Sequence, residues 1–93
     1  MITVHTEFHS HFREVAQADK DSFQLGEPTV AELAAKICAK YGEQMTALLI
    51  DPKTKELNAN GTMYVDSKGR RIYMDDELAD GETIAFLNGI AGG

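Results

Sequence analysis

The sequence is short of the residues on which several classes of protein depend. It holds one cysteine, Cys38, so this chain alone can form no internal disulfide, all-cysteine zinc site or iron–sulfur cluster. Its longest apolar runs, such as residues 47–50, are too short to cross a membrane. The first residues lack the basic and apolar stretches of a secretion signal. These absences predict a cytoplasmic protein without a membrane partner.

Positive charge is also scarce. Nine Lys and Arg stand against fifteen Asp and Glu, which gives a formal net charge of −6 at pH 7. Such a balance disfavours nucleic acid and anionic membranes as partners. The acidic residues are densest in residues 75–82. There they predict a solvated, solubilising surface or, alternatively, a surface that steers a basic partner toward the protein.

The sequence contains no motif for cofactor binding or for catalysis within the chain. It has no Walker motif and no glycine-rich loop between a strand and a helix. His5, His9 and His11 are close in sequence, but a metal site needs more ligands and supporting hydrogen bonds. Cys38 falls on an apolar helical stripe, where a thiol behaves as a small hydrophobe. We therefore expect no metal, no bound cofactor and no enzyme activity from the chain alone.

The first half of the chain predicts two strands followed by a helix. Apolar and polar residues alternate through residues 2–8, as in a half-buried strand, and residues 21–25 predict a second one. Thr29 and Glu32 have the spacing of a reciprocal capping box. The apolar stripe that follows has helical spacing and ends at Gly42. Its members are Val30, Leu33, Ala34, Ile37, Cys38 and Tyr41.

The rest of the chain predicts a loop and further strands. Between the first two strands, residues 12–16 predict a loop or short turn that tucks apolar groups under the sheet. Residues 45–50 predict a strand after the helix. Residues 62–65 and 71–73 then flank Gly69 in a predicted hairpin with glycine at positive φ.

The last predicted strand, residues 83–87, puts Ile84 and Phe86 on one face and Ala85 and Leu87 on the other. It and the first strand are the most apolar, so we expect them side by side at the centre of the sheet. One helical stripe has to be buried. These elements therefore predict a single α+β domain whose sheet is covered on one side.

The sequence ends in Ala-Gly-Gly, residues 91–93, shortly after this strand. Glycines without β-carbons leave a slim backbone that can adopt conformations closed to other residues. Such an end suits threading into a narrow active site of another protein. The alternative is a frayed terminus without a function.

In element order the whole chain resembles the ubiquitin-like β-grasp sulfur carriers, the family of the small subunit of molybdopterin synthase (MoaD) and the thiamine-pathway carrier (ThiS). The resemblance is sharpest in residues 77–86, Glu-Leu-Ala-Asp-Gly-Glu-Thr-Ile-Ala-Phe, at their spacing from the Gly-Gly end. It implies an α+β, β-grasp fold with a mixed sheet of about four to five strands packed on one main helix. Residues 1–87 would form this domain, and residues 88–93 an extended, flexible C-terminal tail.

The chemistry that the resemblance implies is centred on Gly93. Its carboxylate would be adenylated with ATP, and a sulfur donor would then displace AMP to leave a thiocarboxylate. Gly92 would keep the approach narrow, and Ala91 and Ile90 would contact the partner's channel. An extended chain from Asn88 to Gly93 reaches about 20 Å.

The resemblance also implies a set of partners. These are an adenylating activating enzyme of the MoeB/ThiF type, the large subunit of molybdopterin synthase and a sulfur donor protein. Leu87 and the exposed face of the sheet would dock them, and Glu82 would help to orient them.

Several functions stay open. The chain most resembles the small subunit of molybdopterin synthase, but residues 87–90, Leu-Asn-Gly-Ile, stand where such carriers usually have a Pro-Pro pair. A thiamine-type or tRNA-thiolation-type carrier is therefore an alternative. A ubiquitin-like modifier joined to target lysines through Gly93 is another. The last is a non-catalytic β-grasp interaction module with an inert tail.

Overall fold

A computed structural model describes residues 1–59 and 61–88 of the chain. Within them, a mixed sheet of four strands has the order β2-β1-β4-β3. The strands are β1 (Ile2–Phe8), β2 (Lys20–Leu25), β3 (Thr62–Val65) and β4 (Thr83–Asn88). β1 and β4 run parallel at the centre, while β2 and β3 pair antiparallel with them at the two sides. The predicted central pairing of the first and last strands is confirmed.

Alternation along the strands gives the sheet two different faces. On the inner face, Ile84 and Phe86 are 0% and 3% exposed, whereas Ala85 and Leu87 on the outer face are half-buried. Phe86 lies at the centre of an aromatic cluster on the inner face, with ring centroids 5.4 to 5.8 Å from those of its three neighbours. These neighbours are Phe8, Phe12 and Tyr64. The predicted division of β4 into two faces is confirmed.

Helix α2 (Val30–Tyr41) forms as predicted and buries its apolar stripe in the core. Its N-terminus is capped by Thr29, whose Oγ1 accepts the Glu32 N–H at 3.2 Å. The reciprocal half of the predicted capping box is wrong, because the Thr29 N–H donates to the Glu27 carbonyl at 2.9 Å. Gly42 ends the helix at φ 86° and donates its N–H to the Cys38 carbonyl at 2.8 Å.

The predicted loop between the first two strands is wrong, since residues Ser10–Ala16 form helix α1. Phe12 and Ala16 lie four residues apart and are both buried, which is the spacing of one helical face. Ser10 takes a positive φ of 52°, which turns the chain from β1 into the helix. A helix this short has little intrinsic stability, and packing against the sheet supplies it.

The predicted strand at residues 45–50 is also wrong, because Glu43–Leu49 form helix α3. Met45 and Leu49, again four residues apart, are both 0% exposed. The short apolar run there suits a buried strand and a buried helix equally well by pattern. Ile50 alone keeps an extended conformation and forms a single bridge with Leu57. None of the helices in the described residues has the length and apolar character needed to cross a bilayer.

The predicted hairpin after β3 forms only in part. The Ile72 N–H donates to the Tyr64 carbonyl at 2.9 Å, and Val65 makes an isolated bridge with Arg71. Gly69 has the expected positive φ, 79°. The buried carboxylate of Asp66 shapes the turn, as its Oδ1 accepts the N–H groups of residues 68 and 70 at 2.9 Å. The segment that then leads to β4 makes an isolated antiparallel bridge, between Glu77 and Thr29.

Candidate functional site

The predicted site residues lie along β4 and beyond it. Glu82 immediately precedes the strand, and Leu87 is its penultimate residue, so the two lie at opposite ends of β4. Residues 90–93 lie outside the described residues, and their roles as reactive group and channel segment remain predictions. The site that the structure does show is the end of β4 at Asn88, together with the surface around it.

This end of β4 is bonded on both sides. On one side, Asn88 pairs with Thr62 of β3. On the other side, the His9 N–H donates to the Phe86 carbonyl at 3.0 Å, and the His11 N–H donates to Oδ1 of Asn88 at 3.0 Å. Residues up to Asn88 are therefore held by the fold.

The bond from His11 exists because α1 takes the place of β1 beside the end of β4. β1 stops at Phe8, opposite Phe86, and α1 starts two residues later. The first N–H groups of a helix have no acceptor within the helix. His9, at the N-cap, offers no side-chain bond to them. The side chain of Asn88 supplies that acceptor from a distant part of the sequence.

A patch of apolar side chains covers the half of the outer face that adjoins this end. We call it the outer patch; its members are Met63, Val65, Ala85 and Leu87. Met63 pairs with Leu87 and Val65 with Ala85, so the residues form neighbouring cross-strand pairs. All of them are half-buried. The aromatic contacts of α1 and α2 are made on the inner face, so within the described residues no helix ring packs on this patch.

The other half of the outer face is polar. On β1 and β2, Nδ1 of His5 lies 2.8 Å from the Ser22 hydroxyl oxygen, and the two residues are register partners. Glu7 stands opposite Lys20 in the same ladder. The outer face therefore divides into an apolar half beside Asn88 and a polar half away from it.

The acidic segment before β4 has a structural use. The Glu82 carboxylate accepts the Ala79 N–H at 3.0 Å, and Asp80 accepts the Thr3 N–H at 2.8 Å. Asp76 likewise accepts the Tyr73 N–H at 2.7 Å. Turn formation accounts for these carboxylates in part, and the orienting role predicted for Glu82 remains a prediction.

One carboxylate lies at the margin of the inner face. Asp21 accepts hydrogen bonds from the Tyr41 hydroxyl and from Nζ of Lys40, the latter at 2.7 Å. Burial raises the pKa of the Asp21 carboxyl, but the bonds from Lys40, Tyr41 and the Ser22 N–H outweigh it, so the pKa is lowered from 3.8. Burial and the Asp21 carboxylate raise the pKa of the Tyr41 hydroxyl. The group ties the end of α2 to the edge strand β2.

The histidines do not assemble a metal site. His5 bonds to Ser22, and Nε2 of His9 lies 3.7 Å from the Glu7 carboxylate. Across residues 1–59 and 61–88, no cluster of three or more His, Cys, Asp or Glu side chains could hold a metal ion. Cys38 is half-buried against the core, in keeping with its place on the apolar stripe.

Sequence reasoning missed Asn88 as an anchored residue. Its partner His11 is 77 positions away, and neither residue belongs to a motif that joins them. The sequence does offer a signal for α1: the apolar residues Phe12 and Ala16 lie four positions apart, which is typical of one face of a helix.

No family model and no curated protein matches the chain. Solved structures match nearly all of it. The HVO 2177 protein of Haloferax volcanii is 21% identical with a TM-score of 0.80, over 99% of this chain and 87% of that one. SAMP1 of the same organism, small archaeal modifier protein 1, is 15% identical with a TM-score of 0.78, over 98% and 99%.

Two further structures also match nearly all of the chain. A putative molybdopterin converting factor subunit 1 from Pyrococcus furiosus is 19% identical with a TM-score of 0.73, over 97% of this chain and 100% of that one. A chain of the Amycolatopsis orientalis BexX/CysO complex is 18% identical with a TM-score of 0.72, over 97% and 99%. The element order, the mixed sheet and these matches show that the chain has the ubiquitin-like β-grasp fold.

Proposed function

We propose that this protein is a sulfur carrier that acts through a carboxylate at Gly93, in molybdopterin biosynthesis, as the small subunit of molybdopterin synthase. The observation that carries the proposal is the end of β4. The strand is bonded on both sides up to Asn88, adjoins the outer patch, and is followed by residues 89–93, Gly-Ile-Ala-Gly-Gly. The fold thus ends its last described strand beside an apolar surface, and these residues follow directly in the sequence.

The chemistry needs an activated carboxyl group. A carboxylate resists nucleophiles because resonance and negative charge protect its carbon. Attack by a Gly93 oxygen on the α-phosphorus of ATP forms an acyl adenylate and releases pyrophosphate. Hydrosulfide, or a persulfide on a sulfur donor protein, then attacks the acyl carbon. AMP leaves, and with hydrosulfide the product is the thiocarboxylate itself. With a persulfide the product is an acyl disulfide; a thiol of a partner protein then attacks the donor's sulfur, which releases the thiocarboxylate and leaves a disulfide between that thiol and the donor.

Each residue beyond the sheet has a role in this proposal. Gly93 carries the reactive group, and Gly92 keeps the chain narrow where two enzymes in turn must reach it. Ile90 and Ala91 provide the side chains that a channel could recognise. Leu87, within the outer patch, contributes apolar area to docking. Glu82 stands at the far end of β4, where its charge would orient a basic partner surface.

The catalytic groups belong to partner proteins in this scheme. We propose an activating enzyme of the MoeB/ThiF type, a sulfur donor protein and the large subunit of molybdopterin synthase. Among the structures that share the fold, one is named a putative molybdopterin converting factor subunit and one was solved in the BexX/CysO complex. These names support the proposal at the level of the fold.

Intact-mass measurement tests the proposal directly. The purified chain is incubated with a MoeB/ThiF-type enzyme, Mg-ATP and sulfide, and we expect one oxygen to be replaced by one sulfur. Deletion of Gly93 should abolish the change, and so should one residue added after Gly93. An unchanged mass, with an enzyme that converts its own carrier in parallel, would refute the proposal.

A modifier is the second candidate, favoured by the match to small archaeal modifier protein 1. It shares the activation step, but the Gly93 carbonyl would end in an isopeptide bond to a lysine. No Lys or Arg follows Arg71, so trypsin would leave residues 72–93 as a branch on the modified lysine, and such branched peptides in tryptic digests of cells would support this candidate. Chains that gain sulfur in those cells without any such peptide would favour the carrier.

Gene deletion tests which pathway receives the sulfur, and a block at Gly93 tests whether the chain is only an interaction module. Loss of molybdopterin on deletion of the gene would support the proposed pathway, whereas loss of thiamine or of thiolated tRNA would point to the other carrier types. A plain interaction module would keep its binding partner when Gly93 is blocked. A carrier would lose its activity.

A further inference from the structure

We infer that Asn88 is a positioning residue whose side chain fixes where the tail leaves the sheet. It thereby sets the length of chain that can enter a partner's active site. This inference rests on the proposed function, because the length matters only if Gly93 must reach a reactive centre elsewhere. Within the described residues, the Asn88 side chain is what bonds the end of β4 to α1.

The side chain matters because, within residues 1–59 and 61–88, the main-chain bonds on the β1 side stop before Asn88. The last of these bonds runs from the His9 N–H to the Phe86 carbonyl. Beyond it, the bond from the His11 N–H to Oδ1 of Asn88 holds β4 on that side. Without this bond, the pairing of Asn88 with Thr62 would hold the strand end from the β3 side. A strand end held from one side frays more readily than one held from both.

The length at stake is small but decisive for a threaded segment. Residues 89–93 follow Asn88, and an extended run of that length reaches at most about 17 Å. Each residue released from the sheet adds about 3.5 Å to that reach. A displacement of about 1 Å at a reacting centre can lower the rate about a hundredfold. The point of anchoring is therefore as important as the number of residues.

The chemistry of the bond identifies suitable variants. A backbone N–H needs an oxygen acceptor, so Asn88→Asp keeps the bond, while Asn88→Leu removes it with little change in side-chain size. The His11 N–H lies in the first turn of α1, where no acceptor within the helix exists. Hydrogen exchange at this amide therefore reports on the bond with Asn88.

The test combines a chain shortened after β4 with the loss of the hydrogen bond between Asn88 and His11. Gly89 is deleted from the wild-type chain and from N88L, and kcat/KM for thiocarboxylate formation is measured with a MoeB/ThiF-type enzyme, Mg-ATP and sulfide. In the wild type we expect the deletion to lower kcat/KM about a hundredfold, because the anchored Asn88 would keep Gly93 from reaching the partner's active site. In N88L, the same deletion should lower it less than about tenfold, because the released residue restores the reach.

Two controls separate positioning from stability. N88D keeps the bond, so it should be as sensitive to the Gly89 deletion as the wild type and should protect the His11 amide equally. Asp51→Ala removes a similar bond, from the Lys53 N–H to the Asp51 carboxylate at 2.8 Å, in a turn outside β4. This variant should lower the melting temperature, but it should not reduce the effect of the Gly89 deletion on kcat/KM. If N88L fails to fold in thermal denaturation, N88A replaces it in every arm.

The possible failures are distinguishable. If the wild-type chain gains no sulfur, the proposed function fails and the positioning role fails with it. If the wild type gains sulfur but the Gly89 deletion lowers kcat/KM as much in N88L as in the wild type, the inference alone is overturned. It is overturned in the same way if deletion of Gly89 is harmless in the wild type, or if the His11 amide exchanges equally fast in wild type and N88L.

Discussion

The inner and outer faces of the sheet use apolar side chains in different ways. On the inner face, Phe86 is 3% exposed and its ring contacts three other aromatic rings. On the outer face, its neighbour Leu87 stays half-buried in the outer patch. Adjacent residues of one strand thus belong to two environments. Apolar area that the fold leaves uncovered is available to a partner.

The largest expected effect comes from the inner face. Phe86→Ala removes the ring at the centre of the aromatic cluster and should lower the free energy of unfolding by about 3–5 kcal/mol. Urea denaturation measures this. Leu87→Ala is the matched control and should lower the free energy of unfolding by about 1 kcal/mol or less, since its side chain is only half-buried. Equal losses would contradict the contrast between the faces.

The next effect concerns docking. Leu87→Asp places a charge in the outer patch and should lower kcat/KM for thiocarboxylate formation by about tenfold or more, which corresponds to about 1.4 kcal/mol. Ser22→Asp adds the same charge to the polar half of the outer face. We expect the control to change kcat/KM less than about threefold. A similar loss in both variants would attribute the effect to net charge and not to the patch.

A smaller effect should appear with pH at the margin of the inner face. The pKa of Asp21 is lowered in the folded state, so its contribution to stability is present above its ordinary value of 3.8 and is lost as the pH falls through the folded value. Asp21→Asn should therefore be less stable than the wild type at neutral pH. The difference in melting temperature should narrow below about pH 4. A gap independent of pH would contradict this account.

The smallest effect is expected on the polar half of the outer face. Ser22→Ala removes the contact with His5 at an exposed position and should change the free energy of unfolding by less than about 0.5 kcal/mol. Thiocarboxylate formation should be unchanged. A marked loss of kcat/KM would extend the docking surface across the whole outer face.

The periodicity of apolar residues predicts an element correctly where the pattern is regular along its whole length. Helix α2 and the two faces of β4 agree with the structure because burial repeats over many residues there. The pattern mistakes helix α3 for a strand because the apolar residues 47–50 are consecutive, whereas α3 packs near α1 and α2 and buries Met45 and Leu49, which lie four residues apart. Short segments take their conformation from their neighbours in space.

The site is predictable to a different extent. The half-exposed position of Leu87 follows from the alternation of β4. The bond between Asn88 and His11 does not, because it depends on how β1, α1 and β4 meet in three dimensions. Glu82 can be recognised as acidic, but its bond to the Ala79 N–H requires knowledge of the turn.

The central place of β4 has a consequence for the order of synthesis. Among the described strands, β3 pairs with β4 alone, and β1 needs β4 to complete its second side. A nascent polypeptide whose residues 83–88 have not yet left the ribosome therefore lacks one of the two central strands of its sheet. Such non-local pairing forms late. An activating enzyme that recognises the finished surface would thus meet only chains whose translation has reached this strand.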